Sequence, residues 1–233
     1  MYKGKRILGL IPARGGSKGI PRKNIINLCG KPLINYTIEA GKNSKYIDYL
    51  IVSTDDLEIA DIARQAGADV PFIRPSELAT DTAKTVDTVI HAINFLKTKE
   101  LYFDTMVLLQ PTQPLRDSND IDLAIELYSK NSFISLASVS PVSDHPLLIR
   151  SIDSNRLHPL LSANSTCRRQ DMPKYYRVNG CIYINNVFEI NENTSFNDNP
   201  LPYIMETSHS VDIDDEIDLV MAEFYINKHI EFK

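Results

Sequence analysis

The sequence predicts an α/β fold with a mostly parallel, doubly wound sheet, and two observations predict it. Short apolar runs alternate with segments of helical spacing through the first half of the chain. That β-α-β-α order implies parallel strands with helices on both faces. A glycine-rich, cationic loop directly follows the first run, and in such sheets ligands lie at the carboxyl ends of the strands.

Each element follows in order. Ile7-Leu8-Gly9-Leu10-Ile11 reads as a buried strand. Pro32 sits where a first helical turn tolerates it, and Leu33, Tyr36, Ile38 and Ala40 give an imperfect apolar face. Tyr49 to Thr54 is the second strand, and Asp55-Asp56 can cap a helix over roughly 56–66 that Gly67 closes. Val70-Pro71-Phe72-Ile73 is read as a short third strand. Val86, Val89, Ile90, Ile93 and Leu96 fall at helical spacing. Met106 to Leu109 is a further strand, Asp117 or Ser118 opens another helix, and Phe133 to Val139 returns to strand. Beyond residue 140 the pattern changes, with Pro141, Pro146, Pro159 and Pro173 and no long helical pattern. Residues 140–178 are therefore expected to leave the sheet as a lid or an arm that meets a second subunit, inserted in a single domain over 1–233. Cys181 to Ile184 resumes strand character, 191–200 is a polar loop, and an amphipathic helix carries Ile217, Leu219, Val220, Phe224 and Ile226.

Composition narrows the function. A net charge of −5 argues against a nucleic-acid binder, which needs a broad basic footprint. The cations are instead concentrated in 14–23 and at Arg168, Arg169, Lys174 and Arg177, which suits small anionic ligands. Cys29, Cys167 and Cys181 have no metal or disulfide spacing, so a reducing compartment is expected. No apolar run approaches the ~20 residues of a membrane span, and no secretory pattern is present, so the expected location is the cytoplasm.

Three constellations carry chemistry. The loop Pro12-Ala13-Arg14-Gly15-Gly16-Ser17-Lys18-Gly19-Ile20-Pro21-Arg22-Lys23-Asn24 lets backbone N–H groups approach an anion and adds four cations. It matches neither G-x-x-x-x-G-K-[ST] nor G-x-G-x-x-G, which removes support from the ATPase and dinucleotide readings. Arg14 and Lys18 are placed to hold a polyphosphate, and Lys23-Asn24 to reach an α-phosphate. Asp212-x-Asp214 would put two carboxylates on one face of a strand end, a donor set that suits Mg²⁺, but Asp214 or Asp215 could equally cap the following helix. In the segment 168–180, Arg169 and Arg177 suit a substrate carboxylate, while Asn179 and the nearby Tyr183 suit sugar hydroxyls; a solvated basic surface is the alternative. His91 and His145 assemble no catalytic set, so covalent catalysis is not expected.

At these residues the chain resembles the cytidylyltransferases that activate nine-carbon acidic sugars, the CMP-sialic acid (acylneuraminate) synthetases. The matching pieces are Ala13 to Ile20 with Lys23-Asn24; Ile51 to Asp55; Arg74-Pro75, Glu77-Leu78-Ala79 and Asp81-Thr82-Ala83; Leu109 to Thr112 with Pro114-Leu115-Arg116; Arg177 with Asn179-Gly180; and Asp212-Ile213-Asp214. The resemblance implies a Rossmann-like nucleotidyltransferase fold and a reaction of CTP with a nonulosonic acid, giving CMP-sugar and pyrophosphate. It implies that Ala13, Arg14, Lys23, Asn24, Arg74, Ala83, Thr85 and Gln110 bind the nucleotide. Arg14, Lys18, Lys23 and Asp214 serve catalysis in that reading, and Asp212 and Asp214 hold Mg²⁺. Gln110, Arg169, Arg177, Asn179 and Tyr183 would line the sugar-acid site. A homodimer through the 140–178 arm is also implied.

Two departures bear on the acceptor. Leu148 stands where some sialic acid synthetases carry Lys, and Gln113 replaces the usual Ser of Gln-Pro-Thr-Ser-Pro. Both changes are expected beside the acceptor pocket, and they favour a less hydroxylated sugar such as legionaminic or pseudaminic acid. The alternatives are an eight-carbon (Kdo) cytidylyltransferase and a non-catalytic nucleotide-binding module.

Overall fold

The computed structural model describes residues 1–162, 166 and 168–231. Element order is β1 (Ile7–Pro12), a small pair β2 (Asn27–Leu28) and β3 (Lys31–Pro32), α1 (Leu33–Asn43), β4 (Tyr49–Ser53), α2 (Leu57–Gln65), α3 (Thr85–Thr98), β5 (Thr105–Leu109) and α4 (Ser118–Lys130). It continues with β6 (Leu136–Pro141), β7 (Arg150–Asp153), β8 (Arg156–Pro159), β9 (Tyr176–Asn186), β10 (Leu201–Ile204) and α5 (Glu216–Glu231).

Six strands form the central sheet in the order β10-β6-β9-β5-β1-β4. β4, β1 and β5 run parallel, as do β10 and β6, while β9 is antiparallel to both neighbours. Alternation along β1 explains why helices cover both faces. Ile7 and Ile11 enter a core with residues of α1, α2 and α4, whereas Leu8 and Leu10 enter a second core with Val86, Val89 and Ile93 of α3. A third cluster packs Ile20 of the cationic loop and Leu33 of α1 against Val211, Ile213 and Ala222, tying α5 to the loop.

The structure departs from the expected elements where local geometry overrides pattern. Val70 to Ile73 forms no strand, only isolated bridges from Asp69 to Ile51 and from Ile73 to Thr54, since Pro71 has no N–H to donate. The strand expected from Phe133 starts at Leu136, because Ser132 and Phe133 take left-handed φ values of 56° and 62°. The strand at Cys181 is longer than expected, and β10 lies just beyond the polar loop as an edge strand that the short Leu201–Ile204 run did not announce. Residues 211–213 form no strand. β6 reaches Pro141 and β9 starts at Tyr176, so the excursion spans 142–175 rather than 140–178, and it contains the β7–β8 hairpin.

Candidate active site

The carboxyl ends of the neighbouring strands β1 and β5 open onto a cleft of about 400 Å³. One wall is the cationic loop, with Arg14, Gly16, Ser17, Lys18, Gly19, Lys23 and Asn24 all lining it. Two glycines make that path sterically feasible. A Cβ on Gly19 would lie 2.2 Å from the backbone oxygen of Asp214, and one on Gly15 would lie 2.8 Å from Asp56 Oδ2. The loop therefore rests directly on the chain entering α5. Asn24 is buried and donates from Nδ2 to Arg14 O at 2.9 Å, with Oδ1 unpartnered, so its amide braces the loop from beneath. Ala13 is fully buried, its N–H donating to Ser53 O at 2.9 Å, and it does not line the cleft.

The opposite wall carries Arg74, Leu78, Thr80, Asp81, Ala83, Thr85 and Thr88. Arg74 is 5% exposed, and burial lowers its pKa against the opposing charge of Asp55. Its guanidinium donates to Thr88 Oγ1 at 3.2 Å and to Asp55 Oδ1 at 3.4 Å, while Nε stays buried and unpartnered. Asp55 Oδ1 also accepts from Gly15 N–H at 3.0 Å, so one carboxylate links the two walls.

Asp214 lines the cleft, whereas Asp212 is not among its lining residues. Lys23 Nζ donates to Asp214 Oδ1 at 2.8 Å and to Ile213 O at 2.7 Å. Burial raises the pKa of Asp212, partly offset by a hydrogen bond with Thr112 and raised further by the Asp214 charge, and its Oδ1 is buried without a partner. A buried carboxylate oxygen in need of a partner, beside a second carboxylate at the mouth, fits a hard divalent cation. Among the described residues no three acidic, His or Cys groups cluster to hold a metal. Substrate phosphates and water would have to complete the shell, as Mg²⁺ commonly requires.

Gln110 and Thr85 line both this cleft and a second one of about 620 Å³. Its other walls include Lys84, Tyr183 and residues 192–197. Tyr183 donates to Asn197 Oδ1 at 2.6 Å, and burial pushes its hydroxyl pKa up to about 12, keeping it a neutral donor. The structure thus brings Gln110 and Tyr183 together, but not the remaining sugar-site residues. Asn179 is buried in a β9 bulge, accepting from Ser138 Oγ at 2.6 Å and from Cys181 N–H at 3.1 Å, and lines neither cleft. Arg177 is exposed on β9 opposite Ser140 and also lines neither. Arg169 lies in a 3₁₀ turn of the arm, and its side chain, like the whole of Cys167, falls outside the described residues.

Gln113 corrects an expectation. It is fully buried, donating to Asn179 O at 2.5 Å and accepting from Cys181 Sγ at 2.8 Å, so its longer amide fills the β9 bulge rather than an acceptor pocket. Leu148 is 54% exposed on the arm and lines neither cleft of its own subunit.

Sequence reasoning gave no role to three features of the site. Asp81 lies 2.9 Å from Arg14 Nη2 and 3.3 Å from Lys18 Nζ. Arg116 is buried under the Gln110 turn, donating to Cys181 O at 2.9 Å and Gln110 O at 3.4 Å, with burial lowering its pKa to about 10. The 192–197 loop announced itself only by polarity, a signal shared with ordinary surface turns.

The cytidylyltransferase family profile matches residues 8–205. The chain is 43% identical over 222 residues to a CMP-N,N'-diacetyllegionaminic acid synthase of Legionella pneumophila, covering 94% of this chain and 95% of that one. It is 33% identical to a pseudaminic acid cytidylyltransferase of Campylobacter jejuni, covering 93% and 94%. A CMP:2-keto-3-deoxy-manno-octonic acid synthetase solved with CTP shares the fold at TM-score 0.73 and 14% identity, covering 96% and 99%. The chain belongs to the cytidylyltransferase family.

Proposed function

We propose that this cytidylyltransferase joins CTP to a nine-carbon 2-keto sugar acid, releasing pyrophosphate and forming the CMP-sugar. One observation carries the reading: a cation-lined cleft and a polar cleft meet at Gln110 and Thr85, leaving adjoining spaces for two substrates. The relatives that are named for legionaminic and pseudaminic acids support a nonulosonic acceptor over an eight-carbon one.

In this reading the acceptor's anomeric oxygen bonds to the α-phosphorus, the bond to the β-phosphate oxygen breaks, and the hydroxyl proton is lost. Arg14 and Lys18 hold the departing pyrophosphate, and Lys23 the α-phosphate. Arg74, with Ala83 and Thr85, frames the base. Asp212 and Asp214 would hold Mg²⁺, which offsets charge building on the phosphates. Tyr183, Gln110 and the 192–197 loop orient the acceptor.

The enzyme works in the cytoplasm as a homodimer in this proposal, supplying activated sugars for surface glycans. The arm supports dimerisation, because its hairpin leaves Ile152, Leu157 and Leu160 exposed beside Leu148 and Ile149. No helix of the described residues is long and apolar enough to cross a membrane. The test is a panel of eight- and nine-carbon 2-keto acids offered with CTP and Mg²⁺, following pyrophosphate release. Turnover of a nine-carbon acid is expected. Release with none of them, or only with an eight-carbon acid, overturns the reading.

A further inference from the structure

Asp81 occupies a position that catalysis by itself does not explain. Its carboxylate reaches Arg14 Nη2 at 2.9 Å through Oδ1 and Lys18 Nζ at 3.3 Å through Oδ2. Arg14 Nη1 also donates to Thr80 O at 3.0 Å, so the 80–81 turn is fastened to the loop at three points. All four residues line the same cleft. An acid placed among the cations of a phosphate cradle repels a triphosphate and engages the donors that the triphosphate needs.

We propose that Asp81 is an internal surrogate for phosphate, which competes with CTP and with pyrophosphate for Arg14 and Lys18. This rests on the reading of the cleft as a triphosphate site. Binding exchanges one set of ion pairs for another. CTP must displace the carboxylate, and the carboxylate can retake the two cations as pyrophosphate leaves. The arrangement lowers affinity for substrate and leaving group alike, since a ligand binds only the fraction of molecules whose cations are released. Asp81 is 48% exposed and Lys18 75%, so the latch is weak enough for a tetra-anionic ligand to open. Thr80, Asp81 and Thr82 are exposed in a turn ahead of α3, so the carboxylate can swing aside without disturbing any of the three core clusters.

The experiment is calorimetric titration of the full chain with CTP, pyrophosphate and cytidine, without acceptor. For Asp81→Asn the dissociation constants of CTP and pyrophosphate are expected to fall about three- to tenfold, with cytidine unchanged. Asp81→Ala, which also removes the anion, should repeat the result. Unchanged or weaker CTP binding in Asp81→Asn overturns the proposal, as does an equal gain for cytidine, which carries no phosphate. Arg14→Ala separates the two levels of the argument. If it weakens CTP binding while Asp81→Asn does nothing, the phosphate cradle stands and the surrogate falls. If CTP binds neither wild type nor Asp81→Asn, both fall.

Discussion

Asp214 and Asp215 are adjacent, yet their carboxylates serve opposite sides of the chain. Asp214 Oδ1 accepts from Lys23 Nζ at 2.8 Å on the side of the cationic loop. Asp215 Oδ1 accepts from the N–H groups of Ile217 at 2.8 Å and Asp218 at 3.0 Å, while Asp218 Oδ2 accepts from Asp215 N–H at 3.1 Å. Asp215 and Asp218 together form the reciprocal cap of α5, and Asp214 is released from that duty.

The two acids should therefore separate cleanly on mutation. Asp215→Ala is expected to cost about 0.5–2 kcal/mol of stability, the range of a lost N-cap, and to lower turnover modestly. Asp214→Ala should unfold at nearly the wild-type urea midpoint while kcat falls by at least about a hundredfold, as for lost transition-state charge stabilisation. Near-normal turnover in folded Asp214→Ala would remove the metal role.

Lys18→Ala should lower kcat with a smaller effect on the acceptor's KM. A residue that serves the leaving group acts on charge that develops in the transition state, not on acceptor binding. Steady-state kinetics with both substrates varied decides this. A raised acceptor KM at constant kcat would assign Lys18 to the sugar instead.

Gly19→Ala tests the seam between loop and α5. The new Cβ would meet the Asp214 backbone oxygen at 2.2 Å, and the backbone on either side must shift. Ile20 and Ile213 share a core cluster beneath that contact, so the shift should reach both the phosphate loop and Asp214. Loss of most activity is expected, together with a lower melting temperature. Wild-type kcat and Tm would show that the loop does not depend on the close approach.

How much of this was readable in advance follows from where each signal is encoded. The Arg14–Asn24 loop is a local feature, visible as a glycine–cation string, whereas Thr85 entered only through the family resemblance and stands at the first position of α3. The β9 bulge is not local. Its irregular register against β6 buries Asn179 and Gln113, two polar residues that look like ligands when read along the chain. The Asp81 contacts depend on a turn folding back over 67 residues to Arg14 and 63 to Lys18, a tertiary fact with no periodic signature. Asp212 and Asp214 were legible as a pair, but only the Asp215 hydrogen bonds decide which acid is the cap.

The His209–Asp120 pair should make stability depend on pH. Its Nδ1 lies 3.0 Å from Asp120 Oδ2, and that hydrogen bond raises the imidazole pKa against an opposing effect of burial. Asp117 and Glu206 push in the same upward direction. A folded-state pKa above the unfolded one means the stabilisation is complete below the ordinary imidazole pKa and fades as pH rises through the folded value. The stability gap between wild type and His209→Asn should therefore be larger at pH 5.5 than at pH 9 in urea unfolding. An equal gap at both pH values would leave the pair without a charge component.

In the proposed homodimer, the arm is the element through which Leu148 would bear on acceptor choice. Leu148 sits in the 3₁₀ turn Pro146–Leu148, where the N–H of Leu147 donates to His145 Nδ1 at 3.2 Å, so its position is set although the side chain is half exposed. Since it lines neither cleft of its own subunit, it can influence the acceptor only by reaching the cleft of a second copy. There a leucine would favour a methyl or deoxy carbon and leave a sugar hydroxyl without a partner. Such an unpaired group costs on the order of 1–3 kcal/mol, about tenfold or more in selectivity. A 9-deoxy, diacetamido acid such as legionaminic acid should therefore be used at least as well as N-acetylneuraminic acid, by kcat/KM with CTP saturating. Leu148→Lys should move the ratio toward N-acetylneuraminic acid, and sedimentation at micromolar concentration should show a dimer for both proteins. A wild-type preference for N-acetylneuraminic acid above tenfold, or a ratio indifferent to Leu148→Lys, excludes this residue from acceptor selection. A fully active monomer of 26.3 kDa would remove the route by which Leu148 acts.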